Sequence, residues 1–338
     1  MKRIHLVHTG GTLGMSTEDG ALQPGPYLAG LLEDVPELRR LAEVDVDILM
    51  NLDSSSMAPV DWDRIAAHVH ARMGAYDGFV VIHGTDTMAY TASALSFALR
   101  GLRKPVVCTG SQRPLRAIPT DARSNLVSAV DLATRDVPEV TILVGRSLLR
   151  GNRARKASSE RYDAFESPNY PALARIGLDV DLHPSLIRRP VEPSHLVPGF
   201  DPAVVYLPVW PGAPVSALDG AVAAGARAVV VGAYGTGNIP SGPSGWPAAI
   251  RRATDAGVVT LLITQCGHGD VRPHLYAAGR EALDAGAVAA LDLLLEAAVV
   301  KSMHLLAQGL RGDALRAALL HDLAGELTPE PPPGAPLA

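Results

Sequence analysis

The sequence has little cysteine, no excess of positive charge and no long apolar run, and each deficit removes a class of protein. Two cysteines, Cys108 and Cys266, in 338 residues exclude a disulfide-stapled scaffold and a Cys-rich metal cluster, and they favour a reducing compartment. Lysine and arginine number 30 against 35 acidic residues, a net charge of -5, so the broad basic face of a dedicated nucleic-acid binder is not expected. The first apolar stretch is broken by His5 and His8 and runs into glycines, without the apolar core or cleavage pattern of a signal peptide. A cytoplasmic location is the expectation. The longest uncharged stretch, residues 228–250, is crowded with Gly, Pro, Ser and Asn and cannot form a bilayer-spanning helix of about 20 apolar residues, so no membrane partner is expected. What is there is a globular composition, 47% hydrophobic and 19% charged, which excludes an intrinsically disordered chain.

At roughly 150 residues per domain the length points to two domains. Short apolar runs at 4–8, 46–51, 78–83, 105–109 and 140–144 read as strands, and the segments 59–73, 87–99 and 121–134 read as helices. Such alternation predicts a parallel sheet covered by helices on both faces. Between 182 and 202 the chain becomes proline-rich and irregular, which disfavours helix interiors and central strands. Beyond it, strands at 204–209, 228–232 and 258–264 alternate with helices at 217–224 and 246–256, followed by helices at 291–307 and 315–324. The expected organisation is a flavodoxin- or Rossmann-like α/β domain over 1–185, a linker over 186–202, a smaller α/β domain over 203–330 and an extended tail over 331–338.

In open α/β sheets the working residues sit on loops at the carboxyl ends of strands. After the first strand comes Thr9-Gly10-Gly11-Thr12-Leu13-Gly14, whose paired glycines allow a tight turn and close backbone approach to a ligand. The spacing is not the dinucleotide fingerprint, and a plain glycine-rich turn also accounts for it. After the second comes Asp53-Ser54-Ser55-Ser56, an acid and three hydroxyls suited either to gripping a small zwitterion or to capping a helix. After the third comes His83-Gly84-Thr85-Asp86-Thr87, more hydroxyl and carboxylate than capping requires. The run from Arg150 to Lys156 is cationic; a solvated loop is its default reading, but a buried lysine near Thr85 and Asp86 is also suited to activating a hydroxyl. No G-x-S-x-G elbow, H-E-x-x-H or Cys/His ligand spacing occurs, so no cofactor and no metal is expected.

Thr9-Gly10-Gly11-Thr12 and His83-Gly84-Thr85-Asp86-Thr87 resemble the two signature segments of the bacterial-type L-asparaginases. The flanking segments agree in order: Asp53-Ser54-Ser55, Thr109-Gly110-Ser111-Gln112, Arg150-Gly151-Asn152-Arg153 with Lys156, Gly235-Thr236-Gly237-Asn238 and Thr264-Gln265-Cys266. The resemblance spans about residues 3–329 and is closest to the cytoplasmic type I branch. It implies hydrolysis of L-asparagine to L-aspartate and ammonia, with Thr12 as nucleophile and an acyl-enzyme intermediate. It further implies a second constellation of Thr85, Asp86 and Lys156, and substrate contacts from Gly11, Asp53, Ser54, Ser55, Gly84, Thr85, Asp86 and Ser111.

The sequence departs from the family at one place. The loop after the first motif carries no tyrosine at the expected position, which aligns with Ala21, although Tyr27 follows soon after. Some type I relatives supply a tyrosine from the partner subunit in a segment similar to Tyr276-Ala277-Ala278-Gly279, which makes Tyr276 the expected replacement in a homodimer or homotetramer. Cys266 lies in a segment similar to part of a regulatory asparagine site of some members; a small buried hydrophobe at a strand end is an equal reading. Three alternatives stand beside this one. An archaeal-type amidotransferase subunit shares both motifs but carries an extra N-terminal domain, whereas this chain reaches Thr9 almost at once. A glutaminase-asparaginase differs by only one methylene of substrate. A non-catalytic amino-acid sensor would not need Thr12, Thr85, Asp86 and Lys156 together.

Overall fold

The strand Gly78–Ile82 (GFVVI) is buried at every position, as a strand must be when helices cover both faces of its sheet. In the computed structural model, which describes residues 1–18, 21–24, 31–242 and 245–329, it lies at the centre of the parallel part of the larger sheet. Tyr27 and the 331–338 tail lie outside the described residues. The chain divides into two compact units, Met1–Pro198 and Gly199–Ala338.

The first unit runs β1 (Arg3–Gly10), β2 (Glu43–Leu52), α1 (Pro59–Arg72), β3 (Gly78–Ile82), α2 (Met88–Ala98), β4 (Val106–Thr109), α3 (Ala122–Ala133), β5 (Val140–Leu143), β6 (Ser147–Arg150), β7 (Ala174–Ile176) and β8 (Val180–Leu182). Its eight-stranded sheet has the order β8-β7-β6-β5-β4-β3-β1-β2. From β5 to β2 the pairs are parallel, and this five-stranded core has the flavodoxin order 2-1-3-4-5. The remaining strands pair antiparallel. The expected parallel sheet thus carries an antiparallel edge as well, because the short turn through Gly145 (φ +83) is too brief for a parallel crossover.

Local signals set the helices. Helix α1 starts with Pro59 in its first turn, and Asp61 accepts the Ala58 N–H at 3.1 Å. Helix α2 is buried at all but one position, consistent with its nearly all-apolar and small composition. The proline-rich stretch is not featureless: His195–Leu196 pairs antiparallel with Leu99–Arg100.

The second unit holds a four-stranded parallel sheet, β9 (Val204–Pro208), β10 (Ala228–Ala233), β11 (Val259–Thr264) and β12 (Val288–Ala289), in that order. Helices α4 (Ser216–Ala223), α5 (Trp246–Asp255), α6 (Ala277–Asp284), α7 (Leu295–Ala307) and α8 (Gly312–Leu319) accompany it. Two expected boundaries move. The helix expected from residue 291 begins at Leu295, because Leu291 takes a left-handed conformation (φ 56) in the turn after β12. The helix expected over 315–324 spans Gly312–Leu319, and the chain after it is gathered by Glu326, which accepts the N–H groups of Leu323 and Ala324.

Candidate active site

The strand order reverses between β1 and β3: β1 is followed in sequence by its neighbour on one side, and β3 by strands on the other. In sheets of this kind such a reversal is the usual ligand position, at the carboxyl ends of the two strands. Thr12 follows β1 and Thr85 follows β3.

Glycine decides how closely those loops approach. Gly11 has φ +91, and a Cβ there would stand 2.4 Å from the Gly84 nitrogen and 2.5 Å from its Cα. A Cβ on Gly84 would in turn stand 2.5 Å from Ser54 Oγ, on the loop after β2. The first and third loop ends are thus packed backbone against backbone, with the Ser54 side chain of the second against Gly84, contacts that only glycine permits. The Gly11 N–H donates to Leu52 O at 3.1 Å, tying the first loop to the end of β2, and the Thr87 hydroxyl donates to Ser54 O at 2.8 Å, tying the third to the second. Thr12 opens a single 3-10 turn, Thr12–Gly14, and is half-buried above the buried Leu13.

Thr85 is buried, and Lys156 Nζ donates to its Oγ1 at 2.8 Å and to Asp86 Oδ1 at 2.6 Å. With the ammonium on its oxygen, the Thr85 hydroxyl keeps its own hydrogen for another acceptor. Lys156 is held by a short antiparallel pair, Arg155–Lys156 with Phe165–Glu166. The preceding basic run is not a solvated loop: Arg150 and Arg153 are buried, and Arg150 forms an ion pair with buried Glu139 at 2.5 Å. Both guanidinium groups lie over the Tyr170 ring, at 4.2 and 5.4 Å. Glu139, just ahead of β5, supplies the buried countercharge for Arg150.

Asp53 accepts the Ser55 N–H at 2.8 Å, and this backbone bond, with a further side-chain bond from Ser55, holds its carboxyl below the usual range. It is an anion at neutral pH at the exposed end of the second loop, beside the buried Ser54. Ser111 is buried and its hydroxyl donates to Arg113 O at 2.6 Å, so its hydrogen is engaged in its own turn. Tyr276 belongs to the second unit, where it precedes α6 with a side chain 56% exposed. Cys266 is exposed, which removes the reading of a buried hydrophobe; its N–H donates to Thr264 Oγ1 at 3.0 Å. Cys108 is the buried cysteine, its thiol pushed up to about 12 by burial.

A line of hydrogen bonds beneath the third loop was not read from the sequence. The Trp62 indole N–H donates to Thr91 Oγ1 at 3.1 Å, Thr91 Oγ1 lies 2.8 Å from His83 Nε2, and His83 Nδ1 lies 2.7 Å from Gly84 O. Tryptophan can only donate, so the Thr91 hydrogen goes to Nε2, and the Nδ1–H of His83 donates to the Gly84 carbonyl. Burial pushes His83 down to about 4, which keeps it neutral and the line intact at physiological pH. Because the peptide is trans, a carbonyl turned toward His83 turns the Thr85 N–H away from it. His8, fully buried, is likewise lowered to about 4 by burial.

Comparison with known proteins gives the same outline. The family model "Asparaginase, N-terminal" matches residues 3–188, and "Glutaminase/Asparaginase C-terminal domain" matches residues 203–319. L-asparaginase 1 of Escherichia coli is 37% identical, over 97% of this chain and 99% of that protein. Among solved structures, the thermostable L-asparaginase of Thermococcus kodakarensis superposes with a TM-score of 0.90 at 32% identity, covering 97% of this chain and 100% of the other. L-asparaginase I of Vibrio cholerae gives 0.89 at 34%, covering 97% and 99%.

Proposed function

The chain belongs to the asparaginase family, and from that premise we propose how it acts as an amidohydrolase that converts L-asparagine to L-aspartate and ammonia. Thr12 Oγ1 attacks the side-chain carboxamide carbon. The hydroxyl proton passes to the departing nitrogen, the C–N bond breaks, and ammonia leaves an ester on Thr12. Water then adds to the ester, supported by Thr85, Lys156 and Asp86 as a proton relay, and aspartate departs. The oxyanion of each step needs fixed donors, which the backbone N–H groups of the glycine-rich turns supply without bulk; one such donor is worth about 3 kcal/mol. Asp53 and the Ser54–Ser55 turn receive the substrate's ammonium and carboxylate.

The observation that carries this reading is the backbone contact of Gly11 with Gly84, which supports a single crevice for Thr12 and the Thr85–Lys156 pair. A binding-only protein has no use for a lysine held on a buried threonine, so the sensor reading is not favoured. The test is ammonia release from asparagine and glutamine by purified protein, with rapid acid quench and peptide mass mapping. An aspartyl adduct on the Thr12 peptide is expected; an adduct on Thr85 instead would exchange the roles of the two threonines. The ratio of the two amide rates measures selectivity, for which one methylene is worth about 1–3 kcal/mol.

Lys156→Met is expected to lower kcat about 10²-fold or more with little change in KM, because it removes a proton-relay member and not a substrate anchor. Lys156→Arg is expected to rescue only part, since a planar fork cannot reproduce a point donor 2.8 Å from one hydroxyl and 2.6 Å from one carboxylate. Steady-state kinetics of both variants check this.

We place the protein in the cytoplasm and in a homo-oligomer; no helix among the described residues is long and apolar enough to cross a membrane. Tyr276 is assigned to a neighbouring protomer's site, where it orders Thr12 in place of the absent loop tyrosine. Mixing Thr12→Val protomers with Tyr276→Phe protomers is then expected to restore activity that neither has alone. Full activity of Tyr276→Phe by itself would sink the assignment.

A further inference from the structure

Away from the crevice, β1, β2 and α1 bring together two histidines and a carboxylate. His5 Nε2 stands 3.1 Å from His68 Nε2, and the two nitrogens stand 3.4 and 3.3 Å from Asp47 Oδ2. These three side chains come from positions far apart in sequence, and their potential donor atoms all lie within 4.8 Å of one another. Ligand atoms bound at about 2.0–2.1 Å to a tetrahedral ion lie about 3.3 Å from one another, which is the size of this triangle.

The surroundings fit a site built for a cation. The His5 ring is buried and held between the Tyr76 ring, 4.5 Å away, and the Phe79 ring, 6.1 Å away, so its nitrogen is aimed before any ligand arrives. The two imidazole rings lie 5.3 Å apart and nearly parallel, at 18°. Asp47 is 42% exposed, which leaves a path from solvent and room for water as a fourth ligand. As it stands, three lone-pair-bearing atoms crowd together; at most one N–H can fit between the two facing nitrogens, and the Arg72 guanidinium sits 3.2 Å from the same Asp47 oxygen.

We propose that His5, Asp47 and His68 bind one divalent transition-metal ion of the zinc class. Two imidazoles and one carboxylate suit that class, while hard ions such as magnesium or calcium prefer oxygen alone. The ion pins an edge strand, its neighbour and a helix to one another, and Arg72 yields the Asp47 oxygen when it binds. His5 precedes Gly10 by five strand positions, about 16 Å along an extended chain, so the ion stays clear of Thr12 and acts on stability and not on the reaction.

The test uses the full-length, tag-free, metal-stripped protein titrated with Co²⁺ by absorption and with Zn²⁺ by calorimetry, together with thermal melting. One equivalent is expected to bind with tetrahedral Co²⁺ bands and to raise Tm. His68→Ala is expected to lose both effects while asparagine hydrolysis by the metal-free protein is unchanged. Should that variant fold poorly, Asp47→Asn keeps the shape and is expected to weaken binding about 10-fold or more. Absence of saturable binding by about 100 μM, or binding undiminished in both variants, overturns the proposal. Loss of hydrolysis in unsubstituted metal-free protein would overturn the purely stabilising role, while failure of the Thr12 adduct experiment would leave the metal site untouched.

Discussion

Thr12→Val is expected to lower kcat by about six orders of magnitude, the scale on which removal of a nucleophile leaves only binding and oxyanion stabilisation. Valine keeps the branched shape, so the 3-10 turn and the packing of Leu13 should survive, and circular dichroism and Tm should match the parent. Substrate should still bind, because Asp53 and the Ser54–Ser55 turn are unaltered, and calorimetry with asparagine checks that. Thr85→Val is expected to lose activity by a different route: it removes the acceptor of a 2.8 Å bond from Lys156, and the aspartyl ester on Thr12 should then accumulate instead of turning over. A Thr12→Val enzyme within tenfold of parental kcat would refute the nucleophile assignment.

Lys301→Met is expected to cost about 3–5 kcal/mol of stability, the penalty for leaving a buried charge without its partner. Lys301 and Glu326 are both fully buried in the second unit, with Nζ 2.6 Å from Oε1. Lys301 also donates to Leu319 O at 2.8 Å and His321 O at 2.6 Å, so one side chain binds α7 to the end of α8 and to the segment beyond it. Methionine fills the volume but leaves the carboxylate and two carbonyls short of a donor. Removing both charges in Lys301→Met/Glu326→Leu is expected to recover much of the loss, since a well-packed apolar pair avoids the desolvation penalty. Urea unfolding of the two single variants and the double variant measures the coupling; additive losses would show that the pair acts independently.

How much of this was legible in the sequence depended on the range of the forces involved. The parallel core came through because its strands are short apolar runs, such as Gly78–Ile82, that need no context to be recognised. The antiparallel edge did not, because Ala174–Ile176 and Val180–Leu182 are three-residue strands of mixed polarity whose pairing is set by their neighbours. At the site, residues after strand ends were found by position and by family resemblance. Glu139 beneath Arg150, the Trp62 and Thr91 support of His83, and the His5–Asp47–His68 triangle were not, because each joins side chains from separate elements with no recurring spacing. The helix boundary at Leu291 was hidden for a related reason: its left-handed backbone runs against leucine's own preference.

The close approach of Gly11, Gly84 and Ser54 also bears on attempts to redesign amide preference. Backbones already in contact cannot be drawn nearer, and any side chain at Gly11 or Gly84 would wedge the two loops apart. Randomising these positions therefore yields broken enzymes and not new specificities.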